Sequence, residues 1–69
     1  MRLTTRFGKR VRTLREESKL SQEQLGERAA LDRTYISGVE RGLRNPSLLA
    51  IAQIADALEL SLSELFRNV

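Results

Sequence analysis

The chain lacks the residue types on which most enzyme and metal sites depend. It contains no cysteine, which excludes disulfides and thiolate metal sites, and no histidine, which removes the usual acid–base group at neutral pH. No apolar run approaches the roughly 20 residues that a membrane-spanning helix needs. Because a chain of 69 residues is also too small to enclose a substrate, we expect no enzyme, no metal or other cofactor and no membrane partner.

The short length predicts one domain over residues 1–69. A core of this size stabilises only modestly, so well-packed helices or a partner subunit must add to it. The basic N-terminus MRLTTRFGKR is not followed by the apolar core of a secretion signal. We therefore expect a soluble cytoplasmic protein.

Positive charge is concentrated at the N-terminal end of the chain. The net charge is +3, yet residues 1–20 carry seven basic side chains and two acidic ones, while residues 46–69 are net acidic. Such an asymmetry is typical of a polyanion-binding part of a protein, but it is equally typical of a solvated helix face. Charge alone leaves nucleic-acid binding undecided.

Apolar periodicity and caps predict three helices in the first part of the chain. The first spans about 4–18, and its apolar stripe comprises Phe7, Val11 and Leu14. Ser21 and Gln24 match a capping box that opens the second helix. Asp32 is suited to cap a third helix, which Gly42 ends.

Two more helices follow the loop 42–46. Ser47 caps a helix over about 48–59, whose core stripe comprises Leu48, Ile51, Ala55 and Leu58. Ser61 and Glu64 form a second capping box before a short fifth helix. No strand pattern is present, so we predict an all-α fold, a compact five-helix bundle.

The segment 21–41, SQEQLGERAALDRTYISGVER, has the features of a helix-turn-helix. Gly26 provides the small residue where the two helices approach, and the turn falls at 29–31. Arg33 at the start of the third helix can pair with a guanine edge, and Thr34 can offer a hydroxyl or a methyl group. We favour a role for Gly38 in leaving room for DNA, and the alternative is that a glycine is merely tolerated there. The third helix is therefore a candidate for insertion into the major groove.

The chain resembles the Cro/phage-repressor class of helix-turn-helix regulators, also called the XRE family. The resemblance includes the segment LDRTYISGVERGLRN. The resemblance runs from about Phe7 to Phe66 and is greatest to the controller proteins of restriction–modification systems, which are small dimeric autoregulators. It implies a DNA-binding domain of the phage-repressor type, with helices 2 and 3 as the helix-turn-helix and double-stranded DNA as partner.

The resemblance also implies roles for single residues. The positions that read bases are Arg33, Thr34 and Ser37. The positions that contact the DNA backbone are Gln22, Tyr35, Arg41, Arg44 and Asn45. Arg15 and Glu40 match a structural ion pair. Alternatives remain for some of these residues, because the Tyr35 ring could equally pack on the scaffold and Arg41 could serve the helix dipole.

The turn departs from the family pattern at one position. Ala30 stands where glycine is usual, and Gly26 stands where alanine is usual. A left-handed conformation at Ala30 costs on the order of 1 kcal/mol relative to glycine.

Several apolar residues lie outside the core pattern. Leu49 shares a helical stripe with Gln53 and Asp56, which should face water. The residues left outside the core predict a dimer interface, and they are Leu49, Leu62, Phe66 and Val69. Alternatively, some of them only close the small core. In a two-fold dimer the recognition helices would lie roughly 34 Å apart, which implies a palindromic operator.

Together these features predict a dimeric, sequence-specific transcriptional regulator that acts by occupying its operator. Occupancy would block RNA polymerase or contact it, which makes the polymerase a further partner. The alternative is an antitoxin or adaptor whose main partner is another protein, docked on the apolar residues.

Overall fold

The computed structural model describes all 69 residues and contains five helices and no strand. The helices are α1 (Leu3–Glu17), α2 (Gln22–Ala29), α3 (Arg33–Glu40), α4 (Leu48–Ala57) and α5 (Leu62–Leu65). The predicted all-α bundle is confirmed, with α2 and α3 as its helix-turn-helix. None of the five helices has the length and apolar character needed to cross a membrane.

Two helices end earlier than the apolar pattern predicts. We expected the fourth helix to reach residue 59, but α4 ends at Ala57 because Glu59 has a φ of 59°. The Leu60 N–H then donates to the Ala55 carbonyl at 2.9 Å. Lys19 has the same left-handed φ after α1, which covers 3–17 rather than 4–18. No glycine marks either end, so the usual stop signal is missing from the sequence.

The helix starts follow the capping residues. Ser21 and Gln24 form a reciprocal capping box at α2, and Ser61 and Glu64 form another at α5. The Asp32 side chain accepts a hydrogen bond from the Thr34 backbone at the start of α3. These caps satisfy backbone N–H groups that the helices leave unpaired, which is why the starts were predictable.

Each helix contributes to one apolar core. Its fully buried large side chains are Val11, Leu25, Ile36, Val39, Ile54 and Leu65. Leu48 was expected in this core but is 76% exposed. The inward face of α4 instead includes Ala50 and Ile54, and Leu48 lies about 200° around the helix from Ala50.

Two glycines permit the close helix contacts that set the position of α3. A Cβ on Gly8 of α1 would collide with the Val39 carbonyl oxygen in α3. A Cβ on Gly26 of α2 would lie 2.6 Å from the Leu31 carbonyl oxygen in the turn. Since both neighbours are backbone atoms, neither contact can relax by a side-chain rotation. The scaffold therefore holds α3 against both α1 and α2.

Candidate nucleic-acid interface

The turn between α2 and α3 depends on Ala30. Ala30 has φ 57° and ψ 39°, so it adopts the left-handed conformation that glycine usually provides at this turn. The Leu31 N–H donates to the Gly26 carbonyl at 2.9 Å, and this bond closes the end of α2. Asp32 then begins α3 at once, so the turn is short and leaves α3 at a fixed angle to α2.

The outward side of α3 is polar and accessible. Ile36 and Val39 are fully buried on its inward side, whereas Arg33 and Thr34 are exposed in its first turn. We define the α3 surface as Arg33, Thr34, Ser37 and Arg41, of which Ser37 is half-buried and the others are exposed. The predicted base-reading residues thus share the side of α3 that turns away from the core.

Asp32 restrains the side chain of Thr34 in the first turn of α3. The Thr34 N–H donates to Asp32 Oδ2 at 2.8 Å, and the Thr34 hydroxyl donates to the same oxygen. These hydrogen bonds, that of the hydroxyl above all, lower the pKa of Asp32. We predicted Asp32 as a cap but missed its hold on the hydroxyl, although an Asp two residues before a Thr is a visible signal. With the hydroxyl hydrogen engaged, exposed Thr34 can still accept a hydrogen bond through Oγ1 and can offer its methyl group.

The loop after α3 is folded onto that helix by Arg44. The Arg44 guanidinium carbon lies 5.0 Å from the centre of the Tyr35 ring, a cation–π arrangement. The Arg44 Cγ takes the space in which a Cβ on Gly38 would lie, at only 2.7 Å. The room at Gly38 that we expected DNA to use is therefore filled by Arg44. The Ser47 N–H donates to the Tyr35 hydroxyl at 3.4 Å, so Tyr35 contacts both the middle and the end of the loop.

A buried polar network joins α1, α2 and α3. Arg15 donates from Nε to Glu40 Oε2 at 2.6 Å and from Nη2 to Glu40 Oε1 at 3.0 Å, which makes a bidentate ion pair. The hydrogen bond to Glu40 raises the pKa of Arg15. Arg15 Nη1 donates to the Leu20 carbonyl, and Gln22 Nε2 donates to Glu40 Oε1 at 3.1 Å. Sequence reasoning paired Arg15 with Glu40 but missed the link to Gln22.

The candidate DNA ligands do not form one group. Gln22 and Arg33 come together in an open polar concavity, which Arg15 also lines. Arg41 is exposed just beyond α3. Asn45 instead lines a separate, mostly apolar groove, in which Phe66 is a neighbour. Gln22 and Arg33 therefore share one concavity, whereas Asn45 lies in a different groove.

Few of the basic side chains are neutralised within the chain. Of the 12 lysines and arginines, only Arg12 and Arg15 form salt bridges, with Glu16 and Glu40. The guanidinium groups of Arg33, Arg41 and Arg44 therefore have no carboxylate partner. Such groups can bind phosphate or base edges without first breaking an ion pair.

Seven large apolar side chains are exposed, and they include three of the predicted interface residues. Leu49 is 70% exposed, Leu62 44% and Phe66 37%, and we call these three residues the apolar surface. The Phe66 ring also stacks on buried Phe7, with centroids 5.0 Å apart, so it serves the core as well. Val69 is half-buried against the core.

The predicted stripe of water-facing residues on α4 is only partly correct. Leu49 and Asp56 are exposed, but Gln53 is half-buried and donates to the Ala29 carbonyl at 2.8 Å. This bond ties α4 to the last residue of α2.

Comparison with known proteins gives a consistent result. The sequence model of a protein family described as "Helix-turn-helix domain" matches residues 6–66 of this chain. Control protein C.MunI of a Mycoplasma species is 45% identical over 65 residues, which cover 93% of this chain and 88% of that protein. The immunity repressor of Bacillus phage phi105 is 43% identical over 56 residues, and the match covers 81% of this chain but 39% of the repressor. The crystal structure of the restriction-modification controller protein C.AhdI from Aeromonas hydrophila is similar with a TM-score of 0.89 and 49% identity, covering 91% of this chain and 96% of that one.

Proposed function

The chain belongs to the helix-turn-helix family of DNA-binding transcriptional regulators, and from this membership we propose that it is a dimeric controller of the restriction–modification type that binds a palindromic operator. The observation that carries the proposal is the exposed polar side of α3, whose Arg33 and Arg41 have no carboxylate partner. Residues 1–69 act as one DNA-binding domain without a cofactor.

α3 enters the major groove with its first turn leading. Arg33 reads a base edge, and a bidentate pair with guanine O6 and N7 is its best partner. Thr34 offers its free methyl group to a thymine methyl, and Ser37 lies one helical turn further along. The backbone of the DNA is held by polar groups on both sides of α3, and these are Gln22, Tyr35, Arg41, Arg44 and Asn45.

Two copies associate through the apolar surface around a two-fold axis. Leu49 is the most exposed of the three residues, at 70%, while Leu62 and Phe66 extend the contact along α5. Val69 borders it. The two copies of α3 then lie about one turn of B-DNA apart, roughly 34 Å, and read two half-sites of opposite orientation.

Regulation follows from occupancy of the operator. A dimer bound over a promoter blocks RNA polymerase, and a dimer bound beside it contacts the polymerase. A controller does both on its own promoter at different concentrations. Because its ligand is the DNA of the cell, the protein acts in the cytoplasm. It acts as a regulator and not as an enzyme, like the helix-turn-helix regulators of its family.

The test is binding to the duplex immediately upstream of its own gene, measured by fluorescence anisotropy with a scrambled competitor and a salt titration. We expect tight, competitor-resistant binding with two chains per duplex. A selection from random duplexes, run in parallel, finds an operator that lies elsewhere. If neither experiment yields a preferred sequence, the proposal is overturned, and an antitoxin or adaptor that docks a protein on its apolar surface is favoured.

A further inference from the structure

Three helices meet at the Glu40 carboxylate, and the structure points to a role for this group in DNA binding. We infer that Glu40, held by Arg15, is a positioning residue that aims the Gln22 side chain at a DNA backbone phosphate. The inference rests on the proposed function, because it requires that Gln22 contacts DNA. Its basis is the pair of bonds that Glu40 Oε1 accepts, at 3.0 Å from Arg15 and at 3.1 Å from Gln22.

The hydrogen bonds fix which end of the Gln22 amide points inward. A carboxylate can only accept, so the amide must direct its NH₂ group at Glu40. One N–H is used there, and no other hydrogen bond involves the Gln22 side chain. Its second N–H is free, and a phosphate oxygen also accepts only. The group that the network leaves available is therefore the one that a phosphate needs.

Arg15 makes this arrangement compatible with a nearby phosphate. An unpaired Glu40 would repel that phosphate, in addition to exposed Glu23, which lines the same concavity without a salt-bridge partner. The bidentate contact from Arg15 neutralises Glu40, and the side chains are only 11% and 2% exposed, so water screens their interaction little. Neither side chain needs to touch DNA.

Gln22 lies close to the residue that is proposed to read a base, so its contact with a phosphate would also affect that residue. Gln22 is the first residue of α2 and lines the same concavity as Arg33. A phosphate bound there would set the position of α3 before Arg33 meets a base. A glutamine that is already restrained also loses less side-chain entropy on binding.

A double-mutant cycle on operator binding separates positioning from simple stabilisation. The first change is Gln22→Ala. The second is the joint substitution Arg15→Met with Glu40→Leu, because replacing a buried ion pair by apolar groups usually preserves the fold. We expect each change to weaken operator binding about tenfold, the loss typical of one charge-assisted hydrogen bond. Combined, they should weaken it by little more than either alone, and multiplied losses would overturn the inference.

A control variant and a second measurement complete the test. Gln53→Ala removes a comparable amide bond between helices, to Ala29 at the far end of α2, and should leave operator affinity unchanged. If the variant that combines Arg15→Met with Glu40→Leu does not fold, a second measurement tests the inference. This is NMR relaxation of the Gln22 side-chain amide in the unaltered protein. We expect it to be as rigid as the backbone, and mobility equal to that of the exposed Asn45 amide would overturn the inference.

Failure of this inference is distinguishable from failure of the proposed function. If Arg33→Ala weakens operator binding but Gln22→Ala does not, the positioning role is wrong and the regulator remains. If the unaltered protein binds the operator no better than a scrambled duplex, the proposed function itself is wrong.

Discussion

The α3 surface and the apolar surface are both open to solvent, but they are built for different contacts. Arg33 and Arg41 present directional donors, and the helix beneath them is braced by buried polar groups and caps. Leu49 and Leu62 present exposed apolar area that imposes no hydrogen-bond direction, and Phe66, the third residue of the apolar surface, stacks on buried Phe7. Exposure alone therefore says little about function, and the chemistry of the exposed groups separates the two surfaces. Substitutions on the α3 surface should alter the base preference of DNA binding, and substitutions on the apolar surface should alter dimer formation.

The largest effect is expected from Leu49→Glu on the apolar surface. A charge at the centre of a two-fold interface meets its own copy, so the dimer should dissociate. A monomer binds only one half-site, and loss of the second contact should weaken operator binding by about 10²-fold or more. Sedimentation velocity measures the mass, and anisotropy measures the affinity.

Leu48→Glu is the matched control for that change. Leu48 is 76% exposed and precedes Leu49 in the same turn of α4, but it lies outside the proposed interface. It should leave the dimer intact. A dimer that survives Leu49→Glu would remove Leu49 from the interface and weaken the contrast between the two surfaces.

Arg33→Ala tests the α3 surface and should have the next largest effect. Loss of a bidentate base contact costs roughly 1–3 kcal/mol and relaxes base preference at one operator position. Affinities for a set of single-base operator variants measure both quantities. The dimer should be unaffected, which is the reverse of the result expected for Leu49→Glu.

Arg6→Ala controls for the loss of one positive charge. Arg6 is exposed on the side of α1 away from the Gly8 contact with α3. Its removal should change affinity little. An equal loss across all operator variants with Arg33→Ala would make Arg33 a phosphate ligand rather than a base reader.

The two surfaces differ in how well the sequence predicts them. α3 was predictable because Asp32 marks its start and because Ile36 and Val39 identify its inward side. α4 was harder, since LLAIAQIADA is apolar on nearly every side. Small alanines such as Ala50 then occupy the core, and the larger Leu48 does not. Periodicity alone cannot choose between such faces.

Apart from the Arg15–Glu40 pair, which the family resemblance implied, the long-range side-chain contacts lay beyond sequence reasoning. The bond between Gln22 and Glu40 joins residues 18 positions apart, on helices whose relative angle no local pattern gives. The packing of Arg44 over Gly38 likewise depends on the path of a loop. Capping boxes were predictable because they are local, whereas these contacts follow only from the assembled bundle.

Ala30→Gly should change the stability of the fold without altering the α3 surface or the apolar surface. Ala30 is left-handed, and glycine adopts that conformation without the steric cost of a Cβ, about 1 kcal/mol. The melting temperature should rise by roughly 4–8 °C for a domain of this size, with unchanged operator affinity and dimer mass. Differential scanning calorimetry measures the shift.

Ala29→Gly is the neighbouring control for the turn. Ala29 is the last helical residue of α2, so glycine there should lower the melting temperature. An unchanged or lower melting temperature for Ala30→Gly would mean that the left-handed alanine carries no cost in this turn.

The smallest effect concerns one carboxylate near each surface. Hydrogen bonds from Thr34 lower the pKa of Asp32 from its ordinary 3.8, and hydrogen bonds from Ser61 lower the pKa of Glu64 from its ordinary 4.5. A carboxylate whose pKa is lower in the folded state stabilises the fold above its ordinary value and loses that contribution as the pH falls through the lowered one. Stability should therefore decline below about pH 4.5, through Glu64 first and Asp32 next.

Urea unfolding between pH 6 and pH 2 tests this order. Glu64→Gln should flatten the decline from its upper end, at the capping box of α5, while Asp32→Asn should flatten only the more acidic part, at the start of α3. Asn still caps a helix but cannot ionise, so Asp32→Asn isolates the charge from the hydrogen bond. The control is Asp56→Asn on α4, which makes the same chemical change at an exposed position that caps no helix. Identical profiles for all three variants would show that neither cap depends on its charge, and that the hydrogen bonds alone hold the start of each helix.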